Sequence, residues 1–285
     1  LWLNDGSGTF RDRGLESGCA VNRMGEAEAG MGVAMADLAA DRSADLFVTH
    51  LGRETNTLYR IEDGICRDIT AAVGLAAPSL PRTGFGTGFH DFDHDGHLDL
   101  WVSNGRVGRE DLSPDEPFAE PNQLFRGTPS GVFETLGAAL SGFLETGNSR
   151  ATAFGDLGED GDVDAVVVNN GGPARIYRNR TSEAPGPQDS WLQVRPLTEA
   201  GSVQLDVSVT VAAETGVRHD WSRRAVSYLS SNDPRVHFGL GKTARVEALT
   251  IRWPSGPTVR YRGLPARRQV VAPEPGRSSG RRGSG

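Results

Sequence analysis

Between residues 91 and 99 the chain reads DFDHDGHLD, which sets Asp91, Asp93, Asp95 and Asp99 at positions one, three, five and nine of a short loop. Gly96 permits a tight turn at position six, and His97 offers its backbone carbonyl at position seven. Hard oxygen donors at this spacing suit a calcium ion. Four carboxylates packed so closely repel one another when nothing is bound, and Ca2+, with roughly six to eight oxygen ligands, cancels that repulsion. Mg2+ suits the loop less well, because it gives up its waters reluctantly.

Two further loops repeat the pattern with losses. DLGEDGDVD at 156–164 keeps Asp156, Asp160 and Asp164, with Gly161 at the turn and Asp162 at position seven, but has Gly158 at position three. DLAADRSAD at 37–45 keeps Asp37, Asp41 and Asp45, but has Ala39 at position three and Arg42 in place of the turn glycine. Binding should weaken in that order, for a total of one to three Ca2+ ions, each tying one strand to the next. The competing reading is that acidic β-turns are merely solvated. An EF-hand is excluded, because position twelve is Val102 rather than a bidentate Glu and LWVSN continues as a strand. His90, His94 and His97 cluster near the best loop, but positions four and seven should point outward and imidazole gains nothing from a hard cation, so no catalytic role falls to them. The chain carries no HExxH or P-loop.

The elements that hold these loops are repeats. GMGVAMADLAADRSADLFVTH at 30–50, GFGTGFHDFDHDGHLDLWVSN at 84–104 and SRATAFGDLGEDGDVDAVVVN at 149–169 align without a gap. A second element follows each copy, TLYRIEDGICRDIT at 57–70, QLFRGTPSGVFETL at 123–136 and ARIYRN at 174–179, and LWLNDGSGTFRD opens the chain in the same way. Apolar residues around a Gly-bearing turn read as a hairpin, so each repeat is expected to hold four antiparallel strands, with the acidic loop between the first two. Four-stranded units at a period of roughly 50 residues predict a β-propeller. The expected fold is all-β: an incomplete propeller of about three blades plus the last hairpin of a preceding one, an open arc whose upstream blades lie outside this sequence. Residues 105–121, rich in Pro and acids, read as an inserted surface loop, for recognition or neutral.

The 285 residues carry a net charge of −7, which hides an asymmetry of −13 over 1–180 and +6 over 181–285. An acidic half argues against nucleic acid, and no apolar run is long enough to span a bilayer. Cys19 and Cys66, with no CxxC, read as two buried thiols or as one disulfide in an exported chain. After a linker at 181–190, Val203, Leu205, Val207, Val209 and Val211 alternate as one strand face, and Leu249, Ile251 and Trp253 as another. Residues 191–272 therefore read as a small antiparallel β domain of about six strands, and 273–285 as a disordered tail. Its arginines, Arg223, Arg224, Arg260, Arg262, Arg267 and Arg268, read as a solvated face, with a polyanion patch as the alternative.

The three acidic copies resemble FG-GAP or VCBS propeller repeats. SYLSSNDPRVHFGLG at 227–241, followed by IRWPSG at 251–256, resembles the ASPIC/UnbV domain of the cartilage acidic protein family. That resemblance covers residues 1 to about 272. It implies a secreted or cell-surface, calcium-binding propeller with no assigned catalytic residues. The expected function is non-enzymatic recognition or adhesion, with a glycan or protein as partner. An exported hydrolase or lyase acting on polysaccharide is the second reading.

Overall fold

The computed structural model describes residues 1–107, 118–136, 145–184 and 188–275. Strands β1 (Trp2–Asn4) and β2 (Phe10–Asp12) form an isolated hairpin, with Trp2 and Phe10 exposed. The first full sheet runs in chain order through β3 (Val33–Ala36), β4 (Asp45–Val48), β5 (Thr57–Glu62) and β6 (Ile65–Asp68). In the second, β7 (Gly84–His90) and β8 (Asp99–Asn104) are followed by β10 (Gln123–Gly127) and β11 (Phe133–Thr135). Between them β9 (Glu120–Pro121) leaves the sheet to pair with β12 (Thr146–Gly147). The third sheet holds β13 (Ser149–Gly155), β14 (Asp164–Asn169) and β15 (Arg175–Tyr177).

The expected four strands per repeat thus hold for two copies. The third has three strands among the described residues, because a short 3-10 turn at Thr181–Glu183 leads the chain away. The proposed recognition loop lies largely outside the described residues, as does most of the tail.

Period-two alternation explains how the sheets pack. On β8, Leu100 and Val102 face the first sheet and join Phe47, Leu58, Phe89 and Phe125 in one core, while Trp101 faces the third and joins Phe154, Ala165 and Val167 in another. The middle sheet is buried on both faces. Glycine in the first strands lets neighbours converge. A Cβ on Gly32 would lie 1.9 Å from the Phe85 carbonyl oxygen, and one on Gly86 would lie 2.6 Å from Thr152 Oγ1. The small residues before each acidic loop therefore serve strand-to-strand approach.

The C-terminal unit departs from the expectation in strand count and direction. It has seven strands: β16 (Ser190–Leu197), β17 (Ser208–Ala213), β18 (Gly216–Trp221), β19 (Val236–Gly241), β20 (Arg245–Arg252), β21 (Thr258–Pro265) and β22 (Arg268–Pro273). They form two sheets, β19-β16-β22 and β18-β17-β20-β21, and β16 pairs with β22 in parallel. A return over the whole unit, not a hairpin, brings β22 home, and such a pairing leaves no local signature. Val207, Val209, Val211, Leu249, Ile251 and Trp253 fill the core as expected. Val203 and Leu205 precede the strand and are only half-buried, because Asp206 at φ 60° breaks the extended run. Arg260 and Arg262 are exposed on β21, the solvated face expected, whereas Arg223 is drawn inward to donate to the Met35 carbonyl.

Residues 223–233 cross the first strand of every repeat. The Ser227 amide donates to the Val33 carbonyl, the Thr87 amide to Ser227 Oγ, and the Phe154 amide to Asn232 Oδ1. This strap satisfies edge groups of β3, β7 and β13 that no neighbouring strand pairs. Cys19 and Cys66 are joined as a disulfide, which ties the segment before the first sheet to β6. Among the described residues no helix is long and apolar enough to cross a membrane.

Candidate metal centre

All three acidic loops share one backbone. Position four is left-handed in each, at Ala40 (φ 56°), His94 (φ 63°) and Glu159 (φ 54°), and so is position six, at Arg42 (φ 70°), Gly96 (φ 93°) and Gly161 (φ 93°). Two such residues curl the chain so that the amide at position six donates to the carboxylate at position one: Arg42 to Asp37, Gly96 to Asp91, Gly161 to Asp156. The amides of Ser43, His97 and Asp162 donate to Oδ1 of Asp41, Asp95 and Asp160. Arg42 adopts the turn conformation despite its side chain, so the first loop folds without the glycine.

The loops differ in what the carboxylates leave free. In the third, Asp156 accepts from Asp160 and Gly161 with its two oxygens, and in the first, Asp37 accepts from Asp41 and Arg42 likewise. In the second loop Asp91 Oδ2 accepts from Gly96, but Oδ1 is sealed from solvent and finds no hydrogen-bond partner among the described residues. Asp91 is 3% exposed. A buried carboxylate oxygen without a donor is costly, and a cation relieves it.

Asp91, Asp93 and Asp99 each offer an oxygen, and these atoms lie within 4.8 Å of one another. Burial, and then Asp99, Asp95 and Asp93, push the Asp91 carboxyl well above the usual range. Burial and Asp93 push Asp99 up to about 7, and burial and Asp95 raise Asp93. Anions so placed are unfavourable without a positive charge between them. Of the other residues expected at the metal, Asp95 is turned toward Arg126, and Asp162 is completely buried and accepts from the amide and hydroxyl of Ser182. Asp156, Asp160, Asp164, Asp37, Asp41 and Asp45 keep the loop shape without forming a comparable cluster among the described residues. The donor set fits a hard divalent cation, and Asp91, Asp93 and Asp99 are the residues that would hold it.

The expectation that position four points outward is overturned. His94 is 1% exposed, its Nε2 lies 3.2 Å from the Gly161 carbonyl and 3.6 Å from Asp162, and its ring centroid is 5.2 Å from that of His237. The C-terminal unit covers the loop, and burial holds His94 below the usual histidine range. Burial lowers His90 to about 3 and holds His237 well below the usual histidine range. These are neutral packing groups. The same cover explains two close approaches: a Cβ on Gly239 would meet Asp91 Oδ2 at 1.8 Å, and one on Gly161 would meet the Trp191 ring at 1.9 Å. Arg235 donates to the Asp156 carbonyl, and Gly241 to that of His94. Sequence reasoning did not find these partners, since nothing local in 190–241 announces which loop it meets.

Fold and site together define an all-β protein whose successive antiparallel sheets each present an acidic loop, the second able to hold a metal, beneath a C-terminal β unit. Residues 204–279 match the family described as ASPIC and UnbV. The chain is 26% identical over 279 residues to cartilage acidic protein 1 of Xenopus tropicalis, covering 90% of this chain and 38% of that protein. It is similarly 26% identical over 279 residues to cartilage acidic protein 1 of Homo sapiens (91% and 37%) and 27% over 274 residues to that of Mus musculus (91% and 38%). The relation to the cartilage acidic protein family that the motifs suggest therefore extends along nine-tenths of the chain, which itself spans less than two-fifths of these relatives.

Proposed function

We propose that this chain is a calcium-stabilised, non-enzymatic recognition or adhesion protein of the extracellular space. In this reading residues 1–180 are part of an FG-GAP propeller, 191–272 are an ASPIC/UnbV domain, and loops between strands contact a glycan or protein. The observation that carries it is the buried Asp91 oxygen left without a donor beside Asp93 and Asp99. Calcium is favoured over magnesium because the donors are carboxylates and carbonyls in an irregular loop. A disulfide between Cys19 and Cys66 and the similarity to cartilage acidic proteins support an oxidising, extracellular setting.

Among the described residues the carboxyl groups that burial pushes upward, Asp37, Asp45, Asp91, Asp93, Asp99 and Asp164, all belong to acidic loops, and those of the second loop would surround the proposed cation. That pattern supports binding over acid–base catalysis on polysaccharide. The test is a screen of the full chain against matrix polysaccharides and proteins, in calcium and in chelator, with release of reducing sugar followed in parallel. Calcium-dependent binding without sugar release is expected. Turnover of any polysaccharide would overturn the non-enzymatic reading.

A further inference from the structure

Each repeat carries an arginine directly after the aromatic residue of its third strand: Tyr59-Arg60, Phe125-Arg126 and Tyr177-Arg178. The register is the same in all three sheets. Tyr59 pairs with Leu46, Phe125 with Leu100 and Tyr177 with Ala165, in each case the residue after the position-nine aspartate. The arginine one step further along is thereby carried alongside the acidic loop of its own sheet. Arg60 Nε lies 3.4 Å from Asp45 Oδ1, and Arg178 Nη2 lies 3.1 Å from Asp160 Oδ2. Arg126 spans two carboxylates, with Nε 3.1 Å from Asp93 Oδ2 and Nη2 2.9 Å from Asp95 Oδ2. Of the three, Arg126 bridges two carboxylates of its own acidic loop, whereas Arg178 pairs with Asp160 and with Glu183, 3.2 Å away and outside the loop.

We propose that this recurring arginine is a tethered counter-cation: it holds the acidic loop in shape when no divalent ion is bound, and it competes with that ion for the same carboxylates. In the second loop it turns Asp95 away from the Asp91, Asp93 and Asp99 cluster and shares Asp93 with it. The aromatic residue supplies the fixed point, since Phe125 is 1% exposed and Tyr59 is 3% exposed. The arginine then acts as a positioning residue that sets how tightly the loop takes its ion. This inference rests on the reading of the second loop as a cation site.

The test uses the full chain, with CaCl2 as the titrant, and compares Arg126→Gln with Arg126→Lys. Removing one positive charge a few ångströms from a doubly charged ion should tighten Ca2+ binding by about ten-fold at low ionic strength. The gain should shrink toward about two-fold in high salt, because Arg126 is 44% exposed and screening reaches it. In chelator Arg126→Gln should melt below the wild type, since the carboxylates then repel with one counter-charge fewer, Arg218 alone remaining near Asp91 and Asp95. Arg126→Lys should restore both properties. Equal or weaker Ca2+ binding by a folded Arg126→Gln, with wild-type binding intact, would overturn the counter-cation role and leave the cation site standing. If Arg126→Gln does not fold, wild-type affinity that falls steeply from low to high salt, without the offset that a screened competitor provides, would also overturn it. Absence of Ca2+ binding by the wild type would remove the cation site itself, and the competition with it.

Discussion

Replacing Asp99 by Asn in metal-free protein isolates the cost of the crowded loop. Asp99 is 2% exposed, its oxygens accept from the Phe92 and Gly127 amides, and burial with Asp93 raises its pKa from 3.8 to about 7. The folded state therefore holds a proton there that the unfolded chain releases. This contribution to stability is complete below pH 3.8 and is lost as the pH rises through 7, at about 1.4 kcal/mol per pH unit, for a total of about 4 kcal/mol. Histidines work the other way. His90, His94 and His237 are kept neutral by burial, so their contribution is lost as the pH falls below about 6.5, but it is common to both proteins and cancels in the comparison. Urea denaturation in chelator at pH 4.5 and pH 8 should show Asp99→Asn gaining about 2–4 kcal/mol relative to wild type between the two. In saturating calcium at pH 7.5 the order reverses, since the variant lacks a ligand. A difference that stays flat with pH in chelator would refute the premise that Asp99 is buried among crowded carboxylates.

Two further outcomes follow from the packing. Gly239→Ala places a methyl group against the Asp91 carboxylate and should cost about 1–3 kcal/mol in chemical denaturation while weakening calcium binding, because the strand must move off the loop. Cys66→Ser opens a bridge across 47 residues and should lower stability by about 4 kcal/mol on a chain-entropy basis, an effect that reducing agent should reproduce in the wild type.

Much of the architecture was legible because it repeats. The spacing of Asp37, Asp91 and Asp156 announced three related loops between strands. The contacts between repeats and C-terminal unit were not legible, since they join residues far apart in sequence whose own neighbourhoods fit an ordinary strand or turn. His94 is the clearest case: position four of an isolated loop faces water, but here β19 lies over it. The arginines were visible in LYR, LFR and IYR yet carried no meaning until the strand register put each beside its own carboxylates. Disulfide pairing of Cys19 with Cys66 likewise needed the Cα–Cα separation of 5.3 Å, which spacing alone does not give.

The most direct measurement is a calorimetric titration of the full chain with CaCl2 against the same titration of Asp93→Ala, each repeated with MgCl2. One saturable Ca2+ site in the wild type, much weaker heat with Mg2+, and loss of the Ca2+ site in the variant are predicted. No saturable Ca2+ binding by the wild type, or binding that Asp93→Ala leaves unchanged, would contradict the assignment of the second acidic loop as the metal centre.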